Sequence, residues 1–284
     1  MSRCSVGSVM VSAVALALWL CLPSHAAVDT DDASVAGLLA AGRYQDAGEA
    51  ARAKLDAAVA PPEQGQLWYL RGEADSAVGS YETALGAYLR AATIDSEWRL
   101  LAQVAAARLQ RRLGDADGAT GRLESVLADY RTSAGGLSAP ELLAVGDAAL
   151  ALAPSDASLY ATALDIYEEA VQRAPEDPTP RVALGDLLSD RYNNAEALDA
   201  YREALEIEPD YPPALLGLAR SQHFDHSRSA IDAARRALEV APRSVAARVL
   251  AARLLVELED YGQAQREVAA ALRINPRSPE ALTI

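Results

Sequence analysis

Few residues in this chain are spaced to do chemistry. His223-Phe224-Asp225-His226 sets two imidazoles three residues apart, a spacing that could hold Zn²⁺ with help from Asp225. A structural zinc site needs four ligands, and no cysteine or third histidine is at hand. The stretch is therefore expected to be a polar turn, with Phe224 packed into it. Gly114-Asp115-Ala116-Asp117-Gly118 resembles part of a calcium loop, but the acidic residue that closes such a loop is missing. Glycine and aspartate also suit a tight turn between helices. Asp29, Asp31 and Asp32 form an acidic cluster, expected as a tail or helix cap instead of a metal site. The motifs H-E-x-x-H, G-x-S-x-G, G-x-x-x-x-G-K-S/T and G-x-G-x-x-G are all absent. The chain is read as non-enzymatic, with no catalytic residue, no bound metal and no cofactor.

Charge narrows the partners further. A formal net charge of −14 would be repelled by phosphate backbones, which argues against nucleic acid. The N-terminus has the build of an export signal. Arg3 precedes the apolar run Val9–Leu22, and Pro23 and Ser24-His25-Ala26 lead to a cleavage site before Ala27. Residues 1–26 are expected to be removed, leaving a periplasmic or extracellular protein without a membrane span. The alternative is an uncleaved N-terminal anchor. A lipoprotein site at Cys21 fits less well, because Leu20 stands where a small residue is wanted. Both cysteines, Cys4 and Cys21, fall in this segment, so the mature chain would carry no thiol.

The elements that must position any site are helices in repeats. Pro178 to Tyr211 predicts two amphipathic helices, Thr179–Arg191 and Asn194–Ile207, around a short polar turn. Ala197, Tyr201 and Ala204 share a face of the second, and Pro209 ends it. Stepping by 34 residues recovers the same pattern, with prolines at 175, 209, 242 and 276. Counting Pro178 as position 1, Gly185 is position 8, Ala197 is 20, Tyr201 is 24, Ala204 is 27 and Pro209 is 32. This pattern resembles the tetratricopeptide repeat, although Arg181 and Leu188 replace the Trp and Tyr of positions 4 and 11. Ala163, Tyr167 and Ala170 occupy the packing positions of the preceding unit. Ala230 and Ala237 do so in the next, after one deletion, and Ala264 and Ala271 in the last. Ala84 and Tyr88 do so in a more degenerate early unit.

The resemblance implies an all-α, right-handed solenoid of antiparallel helix pairs. Residues 27–133 read as a degenerate N-terminal subarray and 134–143 as a loop or hinge. Residues 144–284 read as a C-terminal subarray, with units 144–177, 178–211, 212–244 and 245–278 and another starting at 279. Ala60-Pro61-Pro62-Glu63-Gln64 is expected as a rigid spacer, and Pro154 to stop its helix early.

In such arrays the concave groove is lined by positions 2, 5, 9 and 12 of each first helix. The resemblance places Glu73, Arg108, Leu152, Asp186, Arg220 and Arg253 at position 9. It places Ser76, Arg111, Ser155, Ser189, His223 and Val256 at position 12. The candidate partner-binding residues are Arg108, Arg111, Asp186, Arg220, His223 and Arg253. Arginines there could grip the carboxylates of an extended, partly acidic peptide or a partner helix. The other expectation is that they are solvated or paired with Asp186 and Glu257. The implied function is a scaffold for protein assembly in a bacterial cell envelope. One alternative is the repeat region of a longer secreted enzyme, with a metallopeptidase-like domain beyond Ile284. Another is self-assembly through an uncapped C-terminal repeat.

Overall fold

The computed structural model of the chain describes residues 34–57, 59–132, 136–191, 193–223 and 228–284. The expected signal, the Asp29–Asp32 cluster, Ser133 and residues 224–227 lie outside the described residues, as does the Ala134–Gly135 part of the expected loop. The described residues form helices and turns, with no strand among them. The first pair is α1 (Val35–Ala40) and α2 (Tyr44–Asp56), followed by α3 (Pro61–Ala77) with α4 (Tyr81–Ala91) and α5 (Trp98–Arg112) with α6 (Ala116–Thr132). Then come α7 (Ala139–Leu152) with α8 (Ser158–Arg173) and α9 (Pro178–Asp190) with α10 (Asn194–Ile207). The last pairs are α11 (Pro212–His223) with α12 (Arg228–Val240) and α13 (Val245–Glu257) with α14 (Tyr261–Ile274). A four-residue α15 (Pro279–Leu282) follows.

Local sequence chemistry sets the starts. Ser34, Ser244 and Ser278 cap α1, α13 and α15 through their side-chain oxygens, and Asp177 caps α9. Ser138 and Glu141 form a capping box at α7. Two expected linkers turn out to be helix starts. Pro61 and Pro62 are the first residues of α3, where proline's missing N–H costs nothing. Ala139–Leu143, expected in the loop 134–143, is the first turn and more of α7. Pro154 does fall just past the end of α7, but α7 is full length because it starts so early.

Each pair buries its apolar faces on its neighbours. The twelve packing residues, from Ala84 and Tyr88 to Ala264 and Ala271, are at most 3% exposed. Three tyrosines fill the gap between paired helices. Tyr88 lies on Gly72, Tyr167 on Gly146, and Tyr201 between Gly185 and Gly217. A Cβ added at Gly72 would stand 2.5 Å from the Tyr88 ring, and one at Gly185 2.7 Å from that of Tyr201. Truncating Tyr201 should therefore open a cavity worth about 3–5 kcal/mol, the usual cost for a buried aromatic.

The array does not run on as an open coil. Its two ends meet at a seam made twice by the same parts. The α1–α2 turn, Gly42-Arg43-Tyr44, rests on Pro242-Arg243-Ser244, with the Tyr44 hydroxyl donating to the Arg243 carbonyl at 3.4 Å. The α3–α4 turn, Gly79-Ser80-Tyr81, rests on Pro276-Arg277-Ser278, with the Tyr81 hydroxyl donating to the Arg277 carbonyl at 3.3 Å. The second dock is the richer one. The Tyr81 ring lies between the guanidiniums of Arg112 and Arg277, each 4.9 Å from its centroid. Arg277 forks onto Glu82 at 2.8 and 3.1 Å. Arg112 also reaches Glu280 of α15 at 3.0 Å.

Both seam turns need glycine for two reasons. Gly42 and Gly79 have φ of 69° and 85°, and a Cβ on either would collide with the facing loop. Gly114, in the α5–α6 turn, has φ 93° but open space around it. This separates backbone strain from collision. Gly79→Val is expected to open the seam and raise the radius of gyration in small-angle scattering with helix content unchanged. Gly114→Val should keep the compact dimensions.

Candidate partner-binding groove

The resemblance puts position 9 of each first helix on the concave side, and in the structure packing decides what stands there. In the pairs from α3 onward, a tyrosine at position 24 goes with an acid at position 9. These are Tyr88 with Glu73, Tyr167 with Asp147 and Tyr201 with Asp186. The hydroxyls donate to those carboxylates at 2.6, 2.7 and 2.6 Å. Where position 24 is Leu123, Ala234 or Val268, position 9 is Arg108, Arg220 or Arg253. A buried hydroxyl needs an acceptor, and a carboxylate half withdrawn from water needs a counter-charge.

The arginines of the neighbouring pairs supply it. Arg220 donates to Asp186 at 2.6 Å, and Arg108 forms an ion pair with Asp147. Arg108 also acts on Glu73 through space. Burial and the Asp186 charge push the Tyr201 hydroxyl well above its ordinary value, so it stays protonated and remains a donor. Asp186 in turn raises the Arg220 guanidinium. Of the six candidate residues, Arg108, Asp186 and Arg220 are thus joined in ion pairs across neighbouring helices. Arg111 donates to the Ala151 carbonyl at 3.3 Å. His223 is the last residue of α11, and its side chain lies outside the described set. Arg253 is exposed and makes no hydrogen bond or ion pair among the described residues.

Leu152 does not belong in this row. It is in the core, 9% exposed, and Asp147 takes its place. Residues 153–157 lengthen the α7–α8 turn, so counting back from Tyr167 in a fixed 34-residue frame falls five residues short of Asp147. Glycine followed by an acid, as in Gly72-Glu73, Gly146-Asp147 and Gly185-Asp186, was the signal that would have found it.

Where the seam closes, the groove becomes a cavity of about 140 Å³. Its walls come from both ends of the chain. Leu39 and Tyr44 stand on one side, with Glu73, Ser76 and Arg112. Leu216, Arg220, Val249, Leu250 and Arg253 stand on the other. The sequence reading missed this enclosure, although Gly-x-Tyr and Pro-Arg-Ser each occur twice at the places that dock.

Burial raises the Glu73 carboxyl above its ordinary 4.5, against the opposing pull of the Tyr88 hydrogen bond and Arg108. The folded chain then holds a proton that the unfolded chain has released, so stability falls as pH rises from 4.5 through the raised value. The seam acid Glu82 works in a separate window. Its pKa is lowered to about 2 by Arg277, so its contribution is present above 4.5 and lost as pH falls towards 2. Glu73→Gln should therefore flatten the dependence of the urea midpoint on pH between about 4.5 and 7 and leave the acid limb in place.

No family model matches the chain, and no curated relative does. Solved structures do. A thermophilic tetratricopeptide-repeat protein of Thermus thermophilus is similar at a TM-score of 0.52 and 18% identity, over 65% of this chain and 95% of that one. A chain of the APC/C hetero-tetramer Cut9–Hcn1 is similar at 0.51 and 17%, over 88% of this chain and 46% of that one. This chain thus spans less than half the length of the second. Likeness at such identity is likeness of fold, and it agrees with helix hairpins stacked through glycine and tyrosine. The chain is an all-α solenoid with the tetratricopeptide-repeat fold.

Proposed function

We propose that the protein is a non-enzymatic scaffold of a bacterial cell envelope, holding a protein partner on its concave side. The observation that supports this most is Arg253. The position 9 arginines at 108 and 220 are tied to neighbouring acids, while Arg253 is exposed on the groove without a partner among the described residues. An arginine left over in this way can take a carboxylate from another chain in two parallel hydrogen bonds. The net charge of −14 makes that small cationic area stand out from the rest of the surface. Export to the envelope rests on the segment from Arg3 to Ala26.

Two measurements test the proposal. Full-length protein with a C-terminal tag should appear in the periplasmic fraction with Ala27 as its first residue by mass spectrometry. An intact N-terminus in the membrane fraction would overturn cleavage. A partner captured by cross-linking from envelope extract, once purified, should bind saturably and lose about tenfold or more with Arg253→Glu, a change of about 1.4 kcal/mol. Affinity that survives this reversal would remove the groove from the proposal.

A further inference from the structure

The cavity has an order of its own that a protein partner does not explain. Two first helices of successive pairs line one wall in register. On α11 Leu216 is followed four residues later by Arg220, and on α13 Val249 is followed four residues later by Arg253. Ala246, Val249, Leu250 and Arg253 lie at spacings of three and four, so they share one face of α13. The wall thus runs from apolar to cationic over about 10 Å, at 1.5 Å per residue.

The charges do not balance inside. Arg112 is matched by Glu280 and Arg220 by Asp186. The guanidiniums of Arg253 and Arg243, which also line the cavity, have no hydrogen-bond or ion-pair partner among the described residues. On the opposite wall Ser76 is 1% exposed, and its Oγ has no hydrogen-bond partner among the described residues. A buried hydroxyl left unmatched costs free energy, and a ligand or water that supplies the missing bond recovers it.

We infer that the cavity is a binding site for a small amphipathic monocarboxylate. Its carboxylate would sit on Arg253, accepting two hydrogen bonds, and its hydrocarbon body would lie along Ala246, Val249, Leu250 and Leu216. A straight chain of roughly eight carbons fits the 10 Å wall. The gain comes from removing that hydrocarbon from water and from pairing a charge that is otherwise solvated. The cavity walls belong to both ends of the chain, so an occupant bridges the seam.

The probe is octanoate, titrated calorimetrically into the full chain at low ionic strength. One-to-one saturable binding is expected at concentrations below about 1 mM. Octanol, with the same hydrocarbon and no charge, should bind at least tenfold more weakly. Arg253→Gln should also lose tenfold or more, while keeping the wild-type circular dichroism spectrum because Arg253 is exposed. Arg202→Gln, a surface change at a residue paired with Asp199, should bind like the wild type. No saturable binding by the wild type, equal binding of octanol, or an Arg253→Gln affinity within twofold of wild type would each overturn the inference. None of these outcomes depends on whether the groove also holds a protein.

Discussion

The structure depends on a tyrosine ring placed where a Cβ is missing. Gly72, Gly146 and Gly185 let the rings of Tyr88, Tyr167 and Tyr201 lie flat between paired helices. The ring fills the gap, but its hydroxyl then ends far from bulk water and must donate to something close. An acid one residue after each glycine is that acceptor. The acid, half withdrawn from solvent, calls for a cation, and an arginine on an adjacent helix supplies it. The charge pattern of these position 9 residues is thus largely a by-product of core packing. Arg253 is the exception because its pair carries Val268 where a tyrosine would sit, and the pair before it offers Arg220 in place of an acid.

The fold was legible because helix pairs repeat a local pattern. Alternating small and large residues at fixed spacing mark each helix face, and prolines mark each exit. The boundaries of α9 and α10 could be read almost to the residue. Errors arose where the period broke. A fixed 34-residue step made Leu152 stand in for Asp147, since it allowed no extra residues around Pro154. Proline pairs were read as a spacer at Pro61-Pro62, although proline is as much at home in a helix's first turn as in a linker.

The seam was illegible for a different reason. Closure of an array is the sum of small rotations between successive pairs, and no local pattern records that sum. The parts that dock are visible as Gly-x-Tyr and Pro-Arg-Ser, but nothing local says that they meet across about two hundred residues. The turn Glu259-Asp260-Tyr261 shows how little the sequence distinguishes. It has the same left-handed first residue, at φ 61°, and a tyrosine two places on, yet Tyr261 is 64% exposed with no loop among the described residues upon it.

Repeat arrays ordinarily behave as one-dimensional chains of units, each coupled to its neighbours alone, so that the end units fray first. Joining Tyr44 to Arg243 and Tyr81 to Arg277 turns this line into a loop. The first and last described pairs gain neighbours on both sides, and neither set can come away without breaking contacts to the other. The cost is kinetic. Contacts spanning most of the chain raise the mean sequence separation of the fold and have to wait for the intervening pairs to form. Assembly would then be local and fast up to a final slow step, in which the two ends find each other and the molecule becomes a single cooperative unit.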